Sequence, residues 1–177
     1  MAKLKMDRRS QKSRGALKSA FVELVLSRGY EAVSTGEICD RANVGRSTFY
    51  SHYRSKTGLL EESLEHLSGS LAVCVGPDAT PRDLTPLLVH FTEQRMLNRV
   101  FFDFPIRPVW VRTLARTIER RLPRSARTKL PAGLIALVVA ESQIALVAHW
   151  LTGKFSVPPE AVAAMLITNT RTLLANQ

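Results

Sequence analysis

The stretch that decides the fold is NVGRSTFYSHYRSK, residues 43–56. It combines two tyrosines, two arginines, a lysine, a histidine and four small hydroxyl residues. An apolar core has little use for this mixture, and it fits no familiar catalytic spacing. Hydroxyls, aromatics with polar tips and cations on one short segment instead suit a surface that contacts phosphate.

The residues around this stretch predict two short helices joined by a tight turn. Ser34 and Glu37 have the spacing of a capping box, which opens the first of these helices. Asn43 tolerates the left-handed backbone that a turn between helices requires. The second helix is predicted to begin at residue 45 or 46 and to reach about Tyr53, with Phe49 and Tyr53 facing inward. This arrangement is a helix-turn-helix, in which the second helix enters the major groove of DNA.

Several side chains are candidates for DNA contacts. Arg46 and Ser47, at the start of the second helix, can reach base edges, and arginine is well shaped to bond guanine with two hydrogen bonds. The candidates for phosphate contacts, which fix the register without reading the sequence, are Ser34, Thr35, Thr48, Tyr50, His52 and Lys56. The alternatives stay open: Ser34 is a helix cap, Tyr50 could be a core aromatic, and an exposed His52 needs no special role.

The remainder of the chain also has helical periodicity, and no period-2 pattern of strands occurs. The sequence therefore predicts an all-α protein. The first helix should end at Arg28 and Gly29, and a loop is expected over residues 76–86, which are rich in proline, aspartate and threonine. Further helices are expected at residues 84–101, 108–121, 132–151 and 159–175.

The charge is concentrated in the first third of the chain. The net charge is +10, and residues 1–56 carry 12 Lys/Arg against 5 Asp/Glu, a net charge of +7. A polyanionic partner is therefore expected for this part. The basic segment 3–14 is expected to be disordered in the free protein. It could lie along DNA as an arm or serve only solubility.

Other classes of protein fit poorly. The four histidines have no paired metal spacing, and neither a nucleophile elbow nor a glycine-rich phosphate loop is present. We therefore expect no enzyme, no catalytic residue, no metal and no cofactor. Residues 130–151 are apolar but carry Glu141, so a buried helix is favoured over a membrane span. Cys39 and Cys74 suggest a reducing cytoplasm.

The segment GYEAVSTGEICDRANVGRSTFYSHYRSKTGLL, residues 29–60, resembles the DNA-binding domain of the TetR family of bacterial transcription regulators. The similarity preserves the family's spacing over about thirty residues and includes the preceding helix. Asn43 stands in place of the family's usual glycine, Gly45 in place of a serine or asparagine cap, and Tyr53 in place of phenylalanine. None of these departures removes a DNA-facing group.

The resemblance implies an N-terminal helix-turn-helix domain at residues 1–56, with the basic arm. A helical effector-binding and dimerisation domain follows at residues 57–177. The implied function is a ligand-responsive repressor that binds a palindromic operator in double-stranded DNA as a homodimer and responds to an unidentified small molecule. The alternative is a module of the same fold whose second domain docks a protein partner.

In the family that this chain resembles, the second domain holds a ligand pocket and dimerises through its last two long helices. The ligand-pocket candidates, each of which ordinary core packing also explains, are Phe91, Met96, Phe101, Phe102, Trp110 and Gln143. The dimer-interface candidates are Ala140, Val147, Trp150, Leu151, Ala161 and Met165.

Overall fold

The computed structural model describes residues 2–93, 102, 104–122 and 130–175, with side chains described from residue 8 onward. Every regular element within these residues is a helix, so the predicted all-α class is confirmed. The chain divides into two compact units, Met1–Ser63 and Leu64–Gln177. This division falls inside a helix, and the domain boundary that we expect after Lys56 stays a prediction.

The first unit contains α1 (Ala2–Arg28), α2 (Thr35–Ala42), α3 (Arg46–His52) and the first half of α4 (Lys56–Leu71). Apolar side chains at helical spacing bring these helices together and exclude water from their centre. The fully buried members of this core include Leu17, Phe21, Val25, Ile38, Phe49, Leu59 and Leu60.

The beginning of α1 corrects an expectation. The sequence predicts disorder for segment 3–14, but this segment is part of one helix that runs from Ala2 to Arg28. The segment is made largely of good helix formers. Extending a helix that is already packed costs far less than nucleating a new one. The helix ends where predicted, and Gly29 follows with a φ of 81°.

The second unit contains the remainder of α4, a 3₁₀ turn (Ala72–Val75), α5 (Pro81–Glu93), α6 (Ile106–Arg121), α7 (Ala132–Leu151) and α8 (Pro159–Ala175). Helix α7 packs against both α6 and α8, and α5 packs against α8. The guanidinium of Arg171 donates to the carbonyls of Pro77 and Ala79, both at 2.9 Å, and so fastens the loop before α5 to α8.

Helix α5 begins at Pro81, within the segment where the sequence predicts a loop. The helix starts earlier than predicted because Thr80 and Asp83 form a cap at its start. The Thr80 backbone amide and hydroxyl both donate to the Asp83 carboxylate at 2.8 Å. Pro81 occupies the first helical position, where its missing amide proton costs nothing. The predicted end of this helix, near Phe101, lies outside the described residues.

Helix α7 is long and apolar enough to cross a membrane by length and composition, with a mean hydropathy of 1.8. Half of that stretch is buried inside the protein. The side chains of Ile135, Val139 and Ile144 are at most 3% exposed. A helix that supplies so much of the core of the second unit accounts for this hydropathy without a membrane.

Candidate nucleic-acid interface

The turn between α2 and α3 has the conformation that the sequence predicts. Asn43 lies in the left-handed region, with φ 52° and ψ 49°, and its amide donates to the carbonyls of Cys39 and Asp40. The amide of Val44 also donates to Cys39, at 3.0 Å. The chain therefore reverses within a few residues, and α2 and α3 form a helix-turn-helix.

The start of α2 is held by the predicted capping box. The Ser34 hydroxyl accepts from the Glu37 amide at 3.3 Å, and the Ser34 amide and hydroxyl donate to the Glu37 carboxylate at 2.8 and 2.7 Å. Together with Arg28, which is 2.8 Å from this carboxylate, these bonds lower the pKa of Glu37 from 4.5 to about 2. Since the Ser34 hydroxyl proton is already donated, a phosphate contact through it would compete with Glu37. Thr35, the next residue, is half-buried at the first position of α2.

Helix α3 separates its inward and outward faces as predicted. Phe49 is fully buried and Tyr53 is 5% exposed, whereas Tyr50 is 59% exposed. Arg46 and Ser47 are also exposed, at the N-terminal end of the helix. The outward face therefore carries the two candidates for base contacts and the Tyr50 hydroxyl.

The hydroxyl of Tyr53 is buried without a hydrogen-bond partner among the described residues, although Arg14 and Glu62 lie nearby. Arg14 and Glu62 instead pair with each other at 2.5 Å, between α1 and α4. Burial is the main cause that raises the pKa of Tyr53 to about 12. The family's usual phenylalanine at this position would avoid the unpaired hydroxyl.

Arg46 lies against the start of α2. Its Nη2 atom is 3.1 Å from the place that a Cβ atom on Gly36 would occupy, and its Cζ atom is 3.8 Å away. The missing side chain of Gly36 therefore leaves the space in which the guanidinium lies. Sequence reasoning did not identify Gly36, because its role depends on a neighbour ten residues further along the chain.

Lys56 is more constrained than expected for a phosphate contact. Its ammonium donates to the carbonyls of Tyr30 at 2.8 Å and Val33 at 2.7 Å. It also lies 4.1 Å from the centre of the Tyr30 ring, a cation–π contact. These contacts fasten the α1–α2 loop to the start of α4. A phosphate contact through Lys56 stays a prediction.

Thr48 and His52 lie on the side of α3 that faces α1. The Ser13 hydroxyl donates to the Ser10 carbonyl at 2.9 Å and lies 2.8 Å from His52 Nε2. Both bonds are satisfied when Nε2–H donates to the Ser13 oxygen. With Nε2 bonded to Ser13, a phosphate contact from the His52 ring would have to be made through Nδ1.

The described pocket candidates in the second unit are all buried. Ring centroids of Phe91, Phe102 and Trp110 lie between 4.8 and 6.2 Å apart. Gln143 donates to the Thr170 hydroxyl at 3.1 Å, and its own side-chain oxygen has no partner among the described residues. Met96 and Phe101 lie outside the described residues. The ligand-binding role of this set stays a prediction.

The dimer-interface candidates differ in exposure, and their role at an interface stays a prediction. Ala140, Val147, Trp150 and Leu151 are at most 5% exposed and face the core of their own unit. Ala161 and Met165 are exposed on α8, Met165 by 60%. The large apolar residues that are exposed on α7 are Leu134, Leu137 and Val138, each at 40–45%.

The comparisons with known proteins agree with this geometry. Residues 19–63 match the family described as "Bacterial regulatory proteins, tetR family". A TetR transcriptional regulator from Streptococcus agalactiae 2603V is 29% identical, with a TM-score of 0.61, over 96% of this chain and 99% of its own. A TetR-family regulator from Streptomyces coelicolor A3 is 18% identical, with a TM-score of 0.65, over 93% of this chain and 96% of its own.

A curated relative, the uncharacterized HTH-type transcriptional regulator YvkB from Bacillus subtilis, is 32% identical over 71 residues. The match covers 40% of this chain and 36% of that protein, so it spans about a third of the relative's length. The helix-turn-helix and these matches define a DNA-binding protein of the helix-turn-helix class. Residues 19–63 are a DNA-binding domain of the TetR family, as the resemblance at residues 29–60 implied.

Proposed function

We propose that this protein is a transcriptional repressor that binds a palindromic DNA operator as a homodimer in the cytoplasm and is released by a small-molecule effector. The main support for DNA binding is the outward face of α3. Arg46, Ser47 and Tyr50 are exposed there, directly after a left-handed turn at Asn43. The relatives named above are described as transcriptional regulators. They do not support the alternative of a protein-docking module.

Base contacts and phosphate contacts would come from different residues of the helix-turn-helix. Arg46 and Ser47 lie at the N-terminal end of α3, which in this motif approaches the base edges. Tyr50, Thr48 and the start of α2 would contact phosphates and fix the register. Because the guanidinium of Arg46 already lies over Gly36, a bidentate bond to guanine requires it to turn away from α2.

Dimerisation would place two recognition helices about 34–36 Å apart, one helical turn of DNA. The proposed interface uses exposed apolar side chains of α7 and α8 rather than the buried residues of α7. These are Leu134, Leu137 and Val138 near the start of α7 and Ala161 and Met165 near the start of α8. Apolar side chains left exposed on a helix surface are typical of a protein–protein interface.

The effector is proposed to be small and largely apolar. Phe91, Phe102 and Trp110 supply aromatic surface, and Gln143 supplies a buried amide oxygen that could accept one hydrogen bond. Binding would favour an arrangement of the two subunits whose recognition helices no longer match the operator.

The Arg46→Ala variant tests whether the exposed arginine at the start of α3 reads base pairs. On an operator obtained by selection, we expect a loss of about 1–3 kcal/mol in binding and a relaxed preference at one or two base pairs. The matched control is Arg82→Ala, which removes another exposed arginine, on α5 of the second unit. Equal losses for Arg46→Ala on operator and random duplex DNA would refute base reading by this residue.

A further inference from the structure

A groove of about 430 Å³ lies between the beginning of α1 and the helix-turn-helix. We call it the α1–α3 groove. One wall is the basic part of α1 for which the sequence predicts disorder, and the other is the turn together with α3. The lining residues are Arg9, Ser10, Ser13, Asn43, Val44, Gly45, Thr48, Ser51 and His52.

The chemistry of this lining suits an anion. Its guanidinium, its amide and the hydroxyls of Ser10 and Thr48 can donate, while the Ser13 and Ser51 hydroxyls already donate to the carbonyls of Ser10 and Thr48. None of the lining residues that the structure describes is acidic. Arg9 is exposed and forms no ion pair with a described residue. An arginine without a carboxylate partner keeps its donors free for phosphate oxygens.

The walls of the groove are held in place by side chains from both helices. Ser13 on α1 and His52 on α3 are joined at 2.8 Å, and the Ser13 hydroxyl is oriented by its bond to Ser10. Arg9 lies one helical turn before Ser13, so it is on the same face of α1. The Arg9 guanidinium is therefore attached to a helix that is bonded to α3, and not to a flexible tail.

We propose that the α1–α3 groove binds a phosphodiester of the DNA strand next to the recognition helix, with Arg9 as its cation. The inference rests on the proposed function, because the same DNA must lie on the outer face of α3. The groove shares Thr48 and the Asn43–Gly45 turn with the helix-turn-helix, so a backbone that follows α3 passes its mouth. The first turns of α1 are thus a third DNA-contacting element beside α2 and α3.

The test compares Arg9→Gln with Arg8→Gln. Both residues are exposed arginines on α1, but only Arg9 lines the groove. For Arg9→Gln we expect operator binding at about 150 mM salt to weaken several-fold, and the slope of log K against log salt to fall by about one. For Arg8→Gln we expect less than a two-fold change. Circular dichroism establishes that both variants keep their helices.

Three results would contradict this proposal. Equal losses in both variants would mean a diffuse effect of charge, and no loss in either would mean that the groove is not used. Titration with inorganic phosphate in the absence of DNA separates the two sources of a phosphate group. If Arg9→Gln abolished phosphate binding but left DNA binding intact, the ligand would be a free anion and not the DNA backbone. In all these outcomes wild-type operator binding persists, whereas failure of the proposed function would abolish it.

Discussion

Gly36→Ala should stabilise the first unit and at the same time weaken operator binding. The new Cβ atom would lie 3.1 Å from Nη2 of Arg46, closer than ordinary van der Waals contact. The obstructing group is the far end of a flexible side chain, so the guanidinium can move aside by a few tenths of an ångström. The helix backbone stays in place because Gly36 has an ordinary helical conformation.

The two effects have different magnitudes and opposite signs. Alanine in place of glycine inside a helix stabilises by about 0.5–1 kcal/mol, because less backbone entropy is lost on folding. A good arginine contact to a base is worth about 1–3 kcal/mol. Since Arg46 is displaced and not removed, we expect a loss of about 1 kcal/mol, which corresponds to roughly five-fold weaker operator binding.

Urea unfolding and fluorescence anisotropy with a labelled operator measure the two effects on the same samples. Gly15→Ala is the matched control, since that glycine also lies inside a helix and a Cβ atom added there would have no neighbouring atom within 4 Å. It should gain stability without losing affinity. Combining Gly36→Ala with Arg46→Ala should cost no further affinity. If Gly36→Ala weakened binding equally in the Arg46→Ala background, the reasoning would be wrong.

Three further predictions concern stability and assembly. Tyr53→Phe should raise the free energy of unfolding by up to about 1 kcal/mol, because it removes a buried hydroxyl without a partner. The pKa of Tyr53 in the folded protein is about 12, above its ordinary value of 10. The stability that the neutral phenol contributes below pH 10 is therefore lost as the pH rises through 12. Tyr53→Phe should lack this loss in urea unfolding at alkaline pH. Lys56→Met should cost about 1–3 kcal/mol in urea unfolding, since two carbonyls lose a charged donor; an unchanged midpoint would contradict these bonds. Val138→Asp should be a folded monomer in sedimentation velocity, whereas Arg112→Gln, an equal change in charge at an exposed site on α6, should stay dimeric. A dimeric Val138→Asp would exclude the exposed residues of α7 from the proposed interface.

Local signals made the helix-turn-helix predictable. The capping box depends on two residues three positions apart, and the turn depends on the tolerance of Asn43 for a left-handed backbone. The burial of Phe49 and Tyr53 follows from their spacing of one helical turn. The cap of α5, formed by Thr80 and Asp83, is equally local, but the surrounding prolines indicated a loop instead of a helix start.

Features that depend on distant residues could not be predicted in the same way. Helix α7 is apolar on all sides, so its sequence does not reveal which face the core covers. For that reason sequence reasoning places Ala140 and Val147 at the interface, although they are buried in their own subunit. The bonds of Lys56 to the α1–α2 loop and of Ser13 to His52 join residues more than twenty positions apart.

The most direct test of the central claim is selection of binding sites from random duplex DNA with the purified protein. At about 150 mM salt, non-specific binding to phosphates is suppressed and sequence preference dominates. A DNA-reading homodimer should enrich a palindrome whose half-sites are centred about one helical turn apart, or a multiple of it. Enrichment of a single half-site would contradict the dimer, and enrichment of no sequence would contradict an operator-binding repressor.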